Sequence, residues 1–94
     1  MSAEIEKTLL RLLDNHRKNA ILDEVKATAA HAADVCGHTA WDQANPGDGV
    51  GSFSQNPYQP EYRRGIMEKA KEKARHMEEV YQYVLNKVID AHYS

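Results

Sequence analysis

The stretch that decides the fold runs from residue 60 to residue 91 and reads PEYRRGIMEKAKEKARHMEEVYQYVLNKVIDA. Within it, apolar or small side chains recur at steps that alternate between three and four residues. These positions are Met67, Ala70, Ala74, Met77, Tyr81, Val84, Val88 and Ala91. This is the spacing of a heptad a/d seam, and it extends over about three and a half repeats. It predicts one long helix, residues 60–92, that lies along another helix.

The first arm, residues 2–43, is also helical in character. Ser2 can cap its start, and Glu4 and Glu6 suit the positive end of a helix dipole. One face collects the apolar residues Ile5, Leu9, Leu12, Leu13, Ala20, Leu22, Val25, Ala29, Ala32, Cys36 and Ala40. We expect a single helix that packs through this face. The alternative is a break near residue 19, where Asn19 would cap a second helix.

Residues 44–59 separate the two arms, and their composition changes sharply. Gly47, Gly49, Gly51, Pro46 and Pro57 fall here. Each glycine or proline costs a helix roughly 1 or 3 kcal/mol relative to alanine, so we predict a loop. A loop of this length is usually functional or disordered. Pro60 then suits the first position of the final helix, where its missing N–H would be unpaired anyway.

The fold we predict is all-α, with residues 1–94 as a single helical domain. Bulky apolar residues lie near both termini and alanines lie near the loop in both arms, which favours a long antiparallel helical hairpin. Three helices result if the first arm breaks. The apolar stripe of the last helix is wider than one partner needs, so the hairpin should assemble into an oligomeric helical bundle. The predicted oligomer seam is Met67, Met77, Tyr81, Val84 and Val88.

Composition limits the functional classes. The chain has 12 Lys and Arg and 14 Asp and Glu, which gives a formal net charge of −2. This balance argues against a general nucleic-acid-binding protein. The single Cys36 forms no internal disulfide and fits a reducing compartment. The N-terminus carries charges where a signal peptide would be apolar, and no stretch approaches the roughly 20 apolar residues of a membrane span. We therefore expect a cytoplasmic protein with no membrane partner.

The strongest local signal is a basic stretch at the start of the last helix. Arg63, Arg64 and Lys71 belong to it, and Tyr58 and Tyr62 are close in sequence. Arginines, aromatic rings and a helix N-terminus together suit a phosphate-bearing ligand with a base. The alternative is a solvated charged face supported by glutamates one turn away.

A weaker candidate site combines His31, Asp34 and His38, which share one helix face with Trp41. Two imidazoles and a carboxylate are suitable ligands for a divalent metal. The spacing matches no specific metal motif, so we expect instead a polar outer face, opposite the one through which the arm packs.

Together these features favour a small, non-catalytic, oligomeric helical binding protein. We expect it to capture an anionic, nucleotide-like small molecule near the start of the last helix, without a cofactor. The alternative is a protein-interaction module, such as an inhibitor, adaptor or assembly factor, that acts through its loop or a helical face. A metal-binding protein is the third reading. No nucleophile–base pair can be argued, so we do not expect an enzyme.

Overall fold

The computed structural model describes residues 3–45 and 56–93. Two helices account for nearly all of them: α1, Ala3–Ala44, and α2, Pro60–Tyr93. They form a rod that measures 71 × 17 × 16 Å. The predicted helical hairpin is confirmed, and the described residues contain no strand. Most of the predicted loop, residues 46–55, lies outside the described residues, as does the cap expected at Ser2.

The alternative of a break near residue 19 is wrong, because α1 continues through it. One turn before Asn19, the Asp14 carboxylate lies 3.0 Å from Lys18 Nζ and 2.5 Å from Arg17 Nη2. Such pairs at i, i+3 and i, i+4 stabilise a helix. Ala20, on the next turn, is only 2% exposed, so packing against α2 also favours a continuous helix here.

Three contacts between the helices fix their antiparallel register. Arg63 Nε lies 3.6 Å from Asp34 near the loop, Arg17 Nη1 lies 3.1 Å from Glu78 in the middle, and His92 Nε2 lies 2.7 Å from Glu6 near the termini. Two heptads from the Arg63–Asp34 contact, this register brings Met77 level with Ala20.

The heptad positions of α2 lie on the side that faces α1, except Ala91, which is exposed. Met67 and Ala74 are buried, at 9% and 6% exposure. Met77, Tyr81, Val84 and Val88 are half-buried along the same side. The residues expected as an oligomer seam therefore serve first as the contact within the hairpin.

The predicted packing face of α1 is largely wrong. Leu9, Leu13 and Ala20 do face α2, but most of the others are exposed: Ile5, Leu12, Leu22, Val25, Ala29, Ala32, Cys36 and Ala40. The face that packs is the one we expected outside, with His31, Asp34, His38 and Trp41. It has the short side chains and hydrogen-bonding groups that the register requires. Ala20 and Gly37 allow close approach, and Arg17 meets a carboxylate of α2.

This choice leaves the hairpin with a thin core. Among the described residues, the buried apolar side chains are Ala20, Met67 and Ala74 alone, and none is large and fully buried. A two-layer domain gains most of its stability from apolar burial. The isolated hairpin therefore buries little, while several large apolar side chains of α1 stay in water.

Candidate functional site

Arg17 is the centre of the polar contact between the helices. Its guanidinium donates hydrogen bonds to Asp14 and to Glu78, and Cζ lies 4.2 Å from the centre of the Tyr81 ring. Its Nε is buried and has no hydrogen-bond partner among the described residues. Arg17 therefore joins the two helices and fixes their register, and it is not available to bind a ligand.

The charges around Arg17 shift its acid–base equilibria. The hydrogen bond from Lys18, followed by that from Arg17, lowers the pKa of the Asp14 carboxyl despite opposing desolvation. For Arg17, desolvation opposes the charged form, but the Asp14 hydrogen bond and the Glu78 charge outweigh it and raise its pKa. Both shifts favour the ion pair over the neutral groups.

A second polar cluster closes the loop end of the hairpin. The Asn56 side-chain amide donates to the carbonyl oxygen of His38 at 2.9 Å and to Asp42 at 3.2 Å. The backbone N–H of Gln59 donates to Asp34 at 3.2 Å. The Tyr58 ring lies directly against Gly37, where an added Cβ would be 2.7 Å from its Cζ. Residues 56–59 thus fasten the start of α2 to the end of α1.

The five residues predicted to bind an anion do not converge on one site. Arg63 faces Asp34, and Arg64 lies 3.4 Å from Glu61. Tyr58 packs on Gly37, while Tyr62 and Lys71 are exposed on the surface of α2. An anion would have to compete with a carboxylate for each arginine. Nucleotide binding stays a prediction, and this arrangement gives it no support.

The metal candidates also engage other groups. Asp34 accepts from Gln59 and lies beside Arg63, while His38 Nδ1 lies 3.4 Å from Asp42. His31 is half-buried against α2. Over residues 3–45 and 56–93, no three His, Cys, Asp or Glu side chains are gathered as metal ligands would be.

The most distinctive surface is on the outer side of α1, and we call it the outer face. It consists of Ile21, Leu22, Val25, Thr28, Ala29, Ala32, Val35, Cys36 and Thr39. These positions repeat with heptad spacing and adjoin one another on a helix. None is charged. The Thr39 hydroxyl donates to the carbonyl oxygen of Val35 at 3.1 Å, so this hydroxyl is already paired within α1.

Large apolar side chains are exposed along the outer face. Ile21 is 46% exposed, Leu22 54%, Val25 59% and Val35 42%. Scattered apolar residues are normal on a protein surface, but a contiguous uncharged stripe marks an interaction site. Sequence reasoning found Leu22, Val25, Ala29, Ala32 and Cys36 but assigned them to the hairpin contact. The seven-residue repeat of Ile21, Thr28 and Val35 was the signal that it missed.

Comparison with known protein families, curated proteins and solved structures finds no match to this chain. In the described part of the chain, neither helix combines the length and the apolar character that crossing a bilayer requires. The function must therefore be argued from the surface itself.

Proposed function

We propose that this protein is a non-catalytic protein-interaction module that docks an apolar helix on the outer face of α1. The observation that carries the proposal is the run of exposed apolar side chains Ile21, Leu22, Val25 and Val35 on a face without charges. Burying such a side chain completely contributes about 1.5–3 kcal/mol. Since each is already about half covered, docking should gain on the order of 1 kcal/mol from each.

The thin core supports the same proposal. Among the described residues, the buried apolar side chains are Ala20, Met67 and Ala74. A partner that covers the outer face would therefore add apolar burial and increase the folding stability of the hairpin. The partner's helix would form a third layer, as in helical bundles. Docking of the partner would therefore raise the folding stability of the hairpin.

Anion capture at Arg63 and Arg64 is the less supported function, because each arginine already faces a carboxylate. The same protein samples can test it. A thermal-shift panel of nucleotides should leave the unfolding temperature unchanged if the charged stretch is only a solvated face.

The test of docking compares two variants that add the same charge. Val25→Asp places a carboxylate in the outer face, and Asn86→Asp places one at an exposed position of α2. In extracts of the native host, native electrophoresis should show wild type and Asn86→Asp in complexes larger than one chain. Val25→Asp should lose them, because burying an unpaired carboxylate is costly. Complexes that persist in Val25→Asp would overturn the proposal.

A further inference from the structure

The charges at the two ends of the outer face differ in sign. Lys18 continues the stripe beyond Ile21, and Asp42 continues it beyond Thr39. Both side chains are accessible, at 65% and 56% exposure, although Lys18 also pairs with Asp14 and Asp42 with His38. The uncharged positions between them span about 27 Å of helix. The face is thus an apolar stripe with a cation at one end and an anion at the other.

We infer that the occupant of the outer face is a second copy of this chain, with the two α1 helices antiparallel about a two-fold axis at the level of Ala30. This inference rests on the proposed docking function and names its partner. In this arrangement, Lys18 of each copy meets Asp42 of the other. A parallel pair would instead bring the two lysines together and the two aspartates together. Flanking charges of this kind set partner choice and orientation in helical pairs.

The same axis also matches the apolar residues. Ile21 comes level with Thr39 of the second copy, Val25 with Val35, and Thr28 with Ala32. Each copy offers the same patch, as a two-fold interface requires. The residues nearest the axis are small, which lets the helix backbones approach, while the larger Ile21, Leu22 and Val35 lie farther out. Two hairpins joined in this way form a four-helix assembly with α1 of each copy at its centre.

A charge-swap experiment on the purified chain tests the pairing. In Lys18→Glu, each dimer contact opposes two carboxylates, and in Asp42→Lys it opposes two ammonium groups. Either variant alone should dimerise roughly tenfold more weakly than wild type in sedimentation at low salt. An equimolar mixture should recover the wild-type affinity, because both contacts of the heterodimer are again oppositely charged. Changes within one chain are identical alone and in the mixture, so they cancel. At 1 M salt the differences should vanish.

Disulfide trapping tests the orientation independently, using the free, exposed Cys36. The antiparallel pair separates the two Cys36 side chains by roughly 18 Å along the helices. Oxidised wild type should therefore stay unlinked, while Val25→Cys should give a covalent dimer, since Val25 lies within one residue of the level of Cys36 on the other copy. A linked wild-type dimer would show a parallel pair and overturn the inference.

Failure of this inference can be told apart from failure of the docking function. If the purified chain is monomeric at micromolar concentration while host complexes disappear in Val25→Asp, docking stands and the second copy is the wrong occupant. The same holds if the two charge variants do not complement each other. Replacing residues 46–55 with a Gly-Ser linker tests whether the chain's own loop occupies the outer face. The variant should self-associate as strongly as wild type, and stronger self-association would show that the loop competes for the face.

Discussion

At the scale of residues, Asp14 and Arg17 show how a polar interface stabilises this hairpin. Because Lys18 and Arg17 lower the pKa of Asp14, its folded value lies below the unfolded value of 3.8. The unfolded chain then binds more protons in acid. The stability that Asp14 contributes is present above the unfolded pKa and is lost as the pH falls through the folded one.

We expect Asp14→Asn to lower the urea midpoint at pH 7 and to flatten the decline in stability between about pH 5 and pH 2. Circular dichroism across that range measures both effects. Asp23→Asn, at an exposed position of α1, is the matched control and should keep the wild-type slope. An Asp14→Asn protein whose stability falls with acid as steeply as that of wild type would contradict this assignment.

Gly37 and Gly65 form a natural pair for a second prediction at this scale. Gly65 has nothing within 4 Å of an added Cβ, whereas at Gly37 the Cβ would overlap the Tyr58 ring. Gly65→Ala should stabilise the protein by about 1 kcal/mol through helix propensity. The free energy of unfolding of Gly37→Ala should be roughly 1–3 kcal/mol lower than that of Gly65→Ala, because the Tyr58 ring must move.

Urea unfolding of the two glycine variants measures the difference. In a Tyr58→Ala background the obstacle is gone, so Gly37→Ala should then stabilise about as much as Gly65→Ala. Equal effects in the wild-type background would mean that Tyr58 does not hold the end of α1.

At the scale of elements, the sequence predicts which side of α2 is packed, but not which side of α1 is packed. In α2, Met67, Met77, Tyr81, Val84 and Val88 follow an unbroken heptad spacing, and that spacing identifies the side that packs, although other large apolar residues such as Tyr62 and Tyr83 are exposed. In α1, apolar residues lie on more than one side. The seam with Ala20, Asp34 and His38 has heptad spacing but small or polar members, and hydrophobic periodicity cannot select it. Pairing with specific residues of α2, such as Arg63, decides the face.

The candidate site follows the same physics. Sequence reasoning identified Leu22, Val25 and Cys36 as a face, because their spacing is a local property. It could not tell that the face is exposed, since exposure depends on which side α2 covers. Likewise, the charge of Arg63 and Arg64 is evident in the sequence, but the opposing Asp34 is distant in the chain and becomes a neighbour only through the register.

Alanine substitutions test which side of each helix is covered. Ala74 is 6% exposed on the packed side of α2, so Ala74→Leu should overpack and cost roughly 1–3 kcal/mol. Ala40 is exposed on α1, so Ala40→Leu should change stability by less than about 0.5 kcal/mol. Thermal unfolding followed by circular dichroism compares them. An equal loss in both would mean that the packed face of α1 has been misplaced.

At the scale of the whole molecule, the stability of this long, thin hairpin depends on the contacts at its loop end and on the partner that covers α1. If a second copy covers α1, folding and association are coupled, and the unfolding temperature must depend on concentration. A hundredfold increase in protein concentration should raise it by several degrees in wild type. Val25→Asp should remove that dependence, and Asn86→Asp should keep it. A concentration-independent transition in wild type would mean that the hairpin is stable alone.

We expect the contacts of residues 56–59 with α1 to close the loop end of the hairpin. Asn56, Tyr58 and Gln59 each contact the last turns of α1. Replacing residues 46–55 with a Gly-Ser linker of equal length should preserve the urea midpoint, because the closure entropy depends mainly on length. Extending the replacement through residue 59 should cost at least about 1 kcal/mol, since these hydrogen bonds are lost. If both replacements lower the midpoint equally, residues 46–55 contribute contacts of their own, and closure begins earlier in the chain than Asn56.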